Sequence, residues 1–254
     1  MIQVIKIGGA ALNDAQWLEK FAAAASKPVT GVARVLVHGG GPEITQLSAQ
    51  MGLMTEWHNG RRITSCDALD VTSMVLTGRI NKRIVRALRA RGVDAFGLSG
   101  EDGAVVEGRL AEQGALGRVG DVVSVRTDLL RLLLDAELMP VLSPVSHCED
   151  GGALNINADE VATSVAVELK AEELLFLTDV EGVRVEGARV ESLSAAAAEH
   201  LTADGTATGG MAVKLRAAVS ALNAGVSRVR VGPLEMLWDA NAGTALAAEE
   251  VACK

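Results

Sequence analysis

The chain has 254 residues, 49 % of them hydrophobic, 22 % charged and only 2 % aromatic, so an aliphatic core in one large domain or two intimate lobes is expected. It contains no tyrosine, which excludes a tyrosine acid or nucleophile and argues against an aromatic stacking platform for nucleic acid. A formal net charge of −8 opposes binding to phosphate backbones or anionic membranes, so any cations that hold an anionic ligand must be local.

Val4 to Ile7 is a short β-branched run that stops at Gly8-Gly9, which predicts a buried strand ending in a glycine turn. The N-terminal MIQVIKIGGA lacks the charged start and long apolar stretch of a signal peptide. Asn13-Asp14 can cap a helix over 15–26. Val35 to Val37 is the next apolar strand, and it ends in Gly39-Gly40-Gly41. Pro42 suits the first turn of a helix running to Met51, since its missing N–H has no intrahelical partner there anyway. A loop over 58–64 leads to a long helix from Asp67 to Arg91. Val93 to Leu98 reads as a strand, and the glycine-broken stretch 104–125 as hairpins projecting from a sheet edge. A helix over 129–138, a strand over 139–142 and a helix capped by Asp159 and ending at Leu169 follow. The last elements are a strand over 174–177, a helix over 211–224 and a strand over 228–231. No apolar run is long enough to cross a membrane. Cys66, Cys148 and Cys253 form no CxxC pair and no ladder, which fits a reducing, cytoplasmic setting. The alternation of strand and helix predicts a three-layer α/β/α sandwich with a mainly parallel sheet, as one domain over 1–254.

Ligands of open α/β sheets bind at the C-terminal ends of the strands, and several chemically loaded segments fall there. Lys6-Ile7-Gly8-Gly9 puts a lysine in an apolar strand, which is either a solvated edge lysine or a cation that meets an anion. His38-Gly39-Gly40-Gly41 has more glycine than a tight turn needs and suggests close approach of a ligand or another backbone. His38 itself reads as structural, because nothing nearby completes a triad. Neither loop is a GxxxxGK[ST] or GxGxxG motif, which disfavours a P-loop or Rossmann nucleotide site. Arg61-Arg62 is either a carboxylate-binding fork or a solvated pair. Asn155, Asn157 and Asp159 place three short polar side chains before a helix, more than an N-cap requires. Thr178 to Val183 follows a strand, and its carboxylates could cap or bind. Thr208-Gly209-Gly210 opens a helix carrying Lys214 near its start, where a cation opposes the helix dipole unless an anion is bound.

Taken together, IKIGGA, VHGGGPEI, NGRRIT, GRINKRIV, GLSGEDG, NINADEVA, LFLTDVEGV and GGMAVK, in this order and spacing, resemble the amino acid kinase family from Met1 to about Gly225. The resemblance implies an eight-stranded, mainly parallel sheet between helices. It implies an N-terminal lobe, about 1–170, for the acyl-amino-acid substrate and a C-terminal lobe, about 171–254, for ATP. NGRRIT and NINAD point to members that phosphorylate the side-chain carboxylate of N-acetyl-L-glutamate with MgATP in arginine biosynthesis. By motif, Lys6 and Lys214 stabilise the transition state and Asp159 orients them. Gly40, Gly41, Arg62, Asn155 and Asn157 hold the substrate, with Arg62 on its α-carboxylate. Gly8, Gly9, Asp179, Val180, Glu181, Gly182, Val183, Thr208, Gly209 and Gly210 line the nucleotide. No protein metal cage is evident, so Mg²⁺ arrives with ATP.

The chain departs from the family pattern in two places. Ser65-Cys66 intervene between Thr64 and Asp67, where the family often has Asp directly. The C-terminal part is short and Ala-rich, and 245–254 reads as a frayed tail after Gly243-Thr244. Arginine-inhibited, hexameric members carry a helix before the first strand, so a homodimer without strong arginine feedback is expected. The rival readings are kinases of the same family for carrier-linked or N-acetyl aminoadipate or for N-succinylglutamate, a non-catalytic metabolite sensor on the same fold, carbamate kinase, and a Rossmann oxidoreductase.

Overall fold

The structure is a computed structural model, and residues 1–27 and 29–247 are described. β1 (Ile2–Ile7) leads through Gly8 into the short helix α1 (Gly9–Leu12) and then α2 (Ala15–Ala25), whose N-cap is Asp14 as expected. β2 (Ala33–His38) feeds α3 (Gly41–Gln50) through the second glycine turn. A small hairpin, β3 (Trp57–His58) and β4 (Arg61–Arg62), precedes one long helix. That helix is α4 (Cys66–Ser73), a π-helical stretch Met74–Ile80, and α5 (Asn81–Arg89). Next come β5 (Ala95–Gly100), the hairpin β6 (Val106–Leu110) and β7 (Gly120–Val125), α6 (Thr127–Asp135), β8 (Met139–Cys148) and β9 (Ala153–Asn155). The remaining elements are α7 (Ala158–Glu168), β10 (Glu173–Leu177), the hairpin β11 (Arg184–Val185) and β12 (Ala188–Arg189), and β13 (Ser192–Ser194). α8 (Ala195–Ala203), α9 (Gly209–Asn223), β14 (Arg228–Gly232) and β15 (Thr244–Ala247) complete the described chain.

One sheet of eleven strands has the order β13-β15-β14-β10-β1-β2-β8-β6-β7, with β5 and β9 also pairing β8. The run β14-β10-β1-β2-β8 is parallel throughout, and β5 and β6 join β8 in parallel. Beyond the eight expected strands stand β9, β13 and β15, which are only three or four residues long. Segments that short carry no readable periodicity. β8 is longer than expected because it continues through Pro144. It pairs β2 and β5 over its first half and, past a register shift that takes Gly100 of β5 to Ser146, pairs β6 and β9.

The three layers follow from strand alternation. On β1, Val4 joins the buried cluster that includes Val161, Leu174, Phe176 and Leu215, on the side of α7 and α9. Ile5 and Ile7 join the opposite cluster with Phe21, Leu76, Ile80 and Leu177, on the side of α2 and the long helix. Lys6 therefore shares the face of Val4 and points toward α7.

Two expectations are corrected. Asp159 does not cap α7: Asn157 is the N-cap, its side chain accepting from Asp159 N–H at 2.8 Å. An Asn one residue ahead of the helix satisfies the exposed amide equally well, and this frees the Asp159 carboxylate. The expected frayed tail over 245–254 is ordered at its start, where 245–247 belong to β15 and pair with β13, and 245 and 246 pair with β14 as well. Its remainder, with Cys253, lies outside the described residues.

Candidate active site

The C-terminal ends of β1, β2 and β10 open into a cleft of about 540 Å³. Lys6 rises from the interior of the sheet into it and is 4 % exposed. Its Nζ lies 2.8 Å from Asp159 Oδ1, off the direction of a good hydrogen bond, so that buried oxygen keeps an ionic contact but no directed donor. Lys214 reaches the same cleft from α9, with its Nζ 3.4 Å from Gly210 O. Its pKa is lowered first by burial and then by the charge of Lys6, while Asp159 and Asp179 pull it back up. Lys6 alone is in close contact with Asp159, and Lys214 stands near Lys6 without an ion pair of its own among the described residues.

The two glycine loops use their glycines differently. A Cβ on Gly9 would lie 2.8 Å from both Cα and N of Gly40, so the loops touch backbone to backbone at that point. A Cβ on Gly40 would collide with Ile80 Cδ1 and lie 2.6 Å from Leu76 Cδ2, both in the π-helical stretch. At Gly8 and Gly41 nothing lies within 4 Å of such an atom. The lack of a side chain at Gly9 and Gly40 therefore serves packing, whatever their backbone amides bind, and Gly8 and Gly41 leave room for a ligand.

Arg61 and Arg62 look alike in sequence and differ in structure. The turn Asn59-Gly60 has φ of 50° and 79°, the left-handed pair that closes a two-residue hairpin. Adjacent residues of β4 then face opposite sides. Arg61 binds Asp121 Oδ1 at 2.6 Å and Glu160 Oε1 at 3.0 Å, tying β7 to α7. Arg62 is 7 % exposed. It donates to Thr55 Oγ1 at 3.1 Å, to Gly41 O at 3.0 Å and to Thr45 Oγ1 at 2.7 Å, and its Cζ stands 4.6 Å from the Trp57 ring centre. Among the described residues it has no carboxylate partner, and burial lowers its pKa. Asn155 lines the cleft and donates to Thr64 Oγ1 at 3.0 Å.

Lys6, Gly8, Gly9, Gly40, Gly41, Arg62, Asn155, Asn157, Asp159, Asp179, Val180, Gly210 and Lys214 come together on the cleft wall. Glu181, Gly182, Val183, Thr208 and Gly209 stand outside it. Val183 is buried in the core and donates its N–H to Thr244 Oγ1 at 2.9 Å, and a Cβ on Gly182 would lie 2.6 Å from the same oxygen. Glu181 faces Arg184 at 3.5 Å. Thr208 is the N-cap of α9, and Gly209 takes φ of 53°. Trp57, Thr45 and Thr55 were missed by sequence reasoning. Only Trp57 left a signal, as a rare aromatic close to the arginine pair.

The profile of the amino acid kinase family matches residues 1–233. An acetylglutamate kinase of Geobacillus kaustophilus is 41 % identical over 228 residues, covering 90 % of this chain and 88 % of that one. An acetylglutamate kinase of a Roseiflexus species is 43 % identical over 252 residues, covering 97 % and 93 %. The crystal structure of smu.665 from Streptococcus mutans superimposes with a TM-score of 0.84 at 30 % identity, covering 98 % of this chain and 99 % of that one.

Proposed function

The chain belongs to the amino acid kinase family, and on that premise we propose that it transfers a phosphoryl group from MgATP to the side-chain carboxylate of N-acetyl-L-glutamate. The products are N-acetyl-L-glutamyl 5-phosphate and ADP, a step of arginine biosynthesis. The observation that carries this reading is the set of cations at one cleft without acids of their own: Arg62 and Lys214 have no ion-pair partner among the described residues, while Lys6 holds Asp159. A doubly anionic substrate and a triphosphate supply the missing charge.

The attacking group is an ionised carboxylate, so the reaction needs no general base. It needs in-line positioning and neutralisation of the charge on the moving phosphoryl. Lys6 and Lys214 stabilise that charge, and Asp159 holds Lys6 in place. Gly40 and Gly41, with Asn155 and Asn157, hold the acyl-amino acid, and Arg62 takes its α-carboxylate through a planar fork. Gly8, Gly9, Asp179, Val180 and Gly210, the nucleotide residues that line the cleft, hold the nucleotide. Among the described residues no group of three His, Cys, Asp or Glu could cage a metal, and magnesium enters on the phosphates of its nucleotide. The lobes about 1–170 and 171–254 divide substrate from nucleotide. A homodimer in the cytoplasm is the assembly that accompanies this reading, and light scattering tests it.

N-succinylglutamate fits less well. Its third carboxylate would need a further cation, and the remaining arginine in the cleft wall, Arg61, is already held by Asp121 and Glu160. The deciding experiment is an ATP-consumption assay with N-acetylglutamate, N-succinylglutamate, N-acetylaminoadipate and glutamate side by side. Turnover is expected with N-acetylglutamate, and silence with all four sinks the proposal.

A further inference from the structure

His38 and Asn81 are both fully buried, lie directly beneath the second glycine loop, and have no part in the scheme above. Asn81 stands where the π-helical stretch passes into α5. Its Nδ2 lies 2.8 Å from Val141 O, 3.3 Å from Leu98 O and 3.2 Å from His38 Nε2. Carbonyl oxygens face that atom, so it is the amide nitrogen, and its two protons go to Val141 O and His38 Nε2, with the longer contact to Leu98 O sharing one of them. Lys82 Nζ, 3.2 Å from Oδ1, agrees. An N–H₂ group facing an imidazole nitrogen requires a lone pair there. The proton of His38 is therefore on Nδ1, which lies 3.1 Å from Gly39 O and donates to it.

The consequence passes through one peptide plane. No peptide bond in the described chain is cis. In a trans peptide the carbonyl of Gly39 and the N–H of Gly40 point in opposite directions. Pinning the carbonyl on the buried side turns the N–H toward the cleft. The Gly40 nitrogen faces the first glycine loop, 2.8 Å from where a Cβ on Gly9 would stand, and the Gly41 nitrogen is 2.9 Å from that point. Among the described residues neither N–H has a protein acceptor.

We propose that His38 and Asn81 are a positioning pair: Asn81 fixes the His38 tautomer, and His38 clamps the Gly39 carbonyl so that the Gly40 amide is aimed at the reacting anion. The role of that amide rests on the phosphoryl-transfer reading, whereas the tautomer and the clamp do not. Burial, aided by the nearby charges of Arg83 and Lys82, keeps the ring neutral against the opposing pull of its own bond to Gly39 O, as the clamp requires.

Two measurements on the full chain decide the proposal. Imidazole ¹⁵N shifts of the wild-type protein should show His38 protonated on Nδ1 alone at neutral pH; an Nε2–H ring overturns the inference whether or not the enzyme turns over. His38→Asn places an amide nitrogen near Nδ1, and His38→Gln places one near Nε2. The expected result is that His38→Asn stays within a few-fold of wild type. His38→Gln should lose about 100-fold in kcat, the scale of one misaimed donor to a developing anion, with KM for ATP unchanged. Equal activity of the two variants, or parallel changes in kcat and KM, overturns the clamp. A wild type with the Nδ1–H ring but no turnover on N-acetylglutamate instead sinks the substrate reading and leaves the tautomer and clamp standing.

Discussion

The two ends of the sheet bury charge in opposite ways. At the N-terminal end, Glu173 accepts from Arg230 Nε at 3.0 Å and from Gln3 Nε2 at 2.6 Å, and Arg34 donates to Gln3 Oε1 at 3.0 Å. Arg230 spends its other donors on Met236 O at 2.8 Å and Asp239 O at 3.0 Å. Every member of this seam across β14, β10, β1 and β2 has a partner. At the C-terminal end, Lys6, Lys214 and Arg62 line one cleft, and only Lys6 has an ion-pair partner, Asp159, among the described residues. A buried ion is costly unless it is paired and hydrogen-bonded. The first arrangement therefore serves the fold, and the second is complete only with an anion bound.

The largest test of that contrast lies in the cleft. Lys6→Ala should cut kcat by about 10²–10³, the magnitude typical of lost transition-state charge stabilisation, while calorimetry finds ATP binding little changed. Unchanged turnover would remove Lys6 from the mechanism. At the opposite end, Arg230→Met removes the buried cation that pairs with Glu173 and leaves that carboxylate only Gln3 and the more distant Arg228 at 3.9 Å. A loss of about 3–5 kcal/mol in unfolding free energy is expected, with kcat per folded molecule intact, as denaturant titration beside kinetics will show. Arg62→Leu should mainly raise KM for the acyl-amino acid, by the ~1.5–3 kcal/mol of a charge-assisted contact. No stability loss of the Arg230→Met kind is expected, because Arg62 leaves no acid behind.

Two pH effects are smaller. His38 has a folded pKa of about 4, below the ordinary 6.5, because burial disfavours its charged form. The unfolded chain thus binds the proton first, and stability is lost as pH falls from 6.5 toward 4. The loss reaches about 3 kcal/mol at one pKa unit per 1.36 kcal/mol, and His38→Asn should flatten that limb of the unfolding curve. Lys214 also has its pKa lowered, by burial and by Lys6. Its charged form disappears as pH rises, so the alkaline limb of kcat/KM should fall at a lower pH than an ordinary lysine gives. Its contribution to stability has the reverse sign and improves over the same rise, so Lys214→Met should leave the fold as stable as before or more so.

The strands and glycine loops were legible because they follow from short apolar runs and from where glycine stops them. Lys6 was legible as an anomaly in such a run. The division of labour between Arg61 and Arg62 was not, since only the pairing of β4 with β3 decides which side each faces. The cap of α7 was misread because Asn157 and Asp159 are both good capping residues, and only backbone geometry separates them. The π-helical stretch has the same residue pattern as an α-helix, and its fit against Gly40 is a tertiary event. The clamp at His38 needed Asn81, forty-three positions away.

The turn at Asn59-Gly60 sets a parity. With two residues in the loop, Trp57 pairs with Arg62 and His58 with Arg61. A one-residue insertion would slip the register and exchange the faces of the two arginines. The hairpin could still form, but the arginine that braces β7 and α7 would then point into the cleft, and the one in the cleft would point at the brace. Length variation at this turn is thus constrained by function more tightly than by folding, and a library of loop insertions should tolerate an even change better than an odd one.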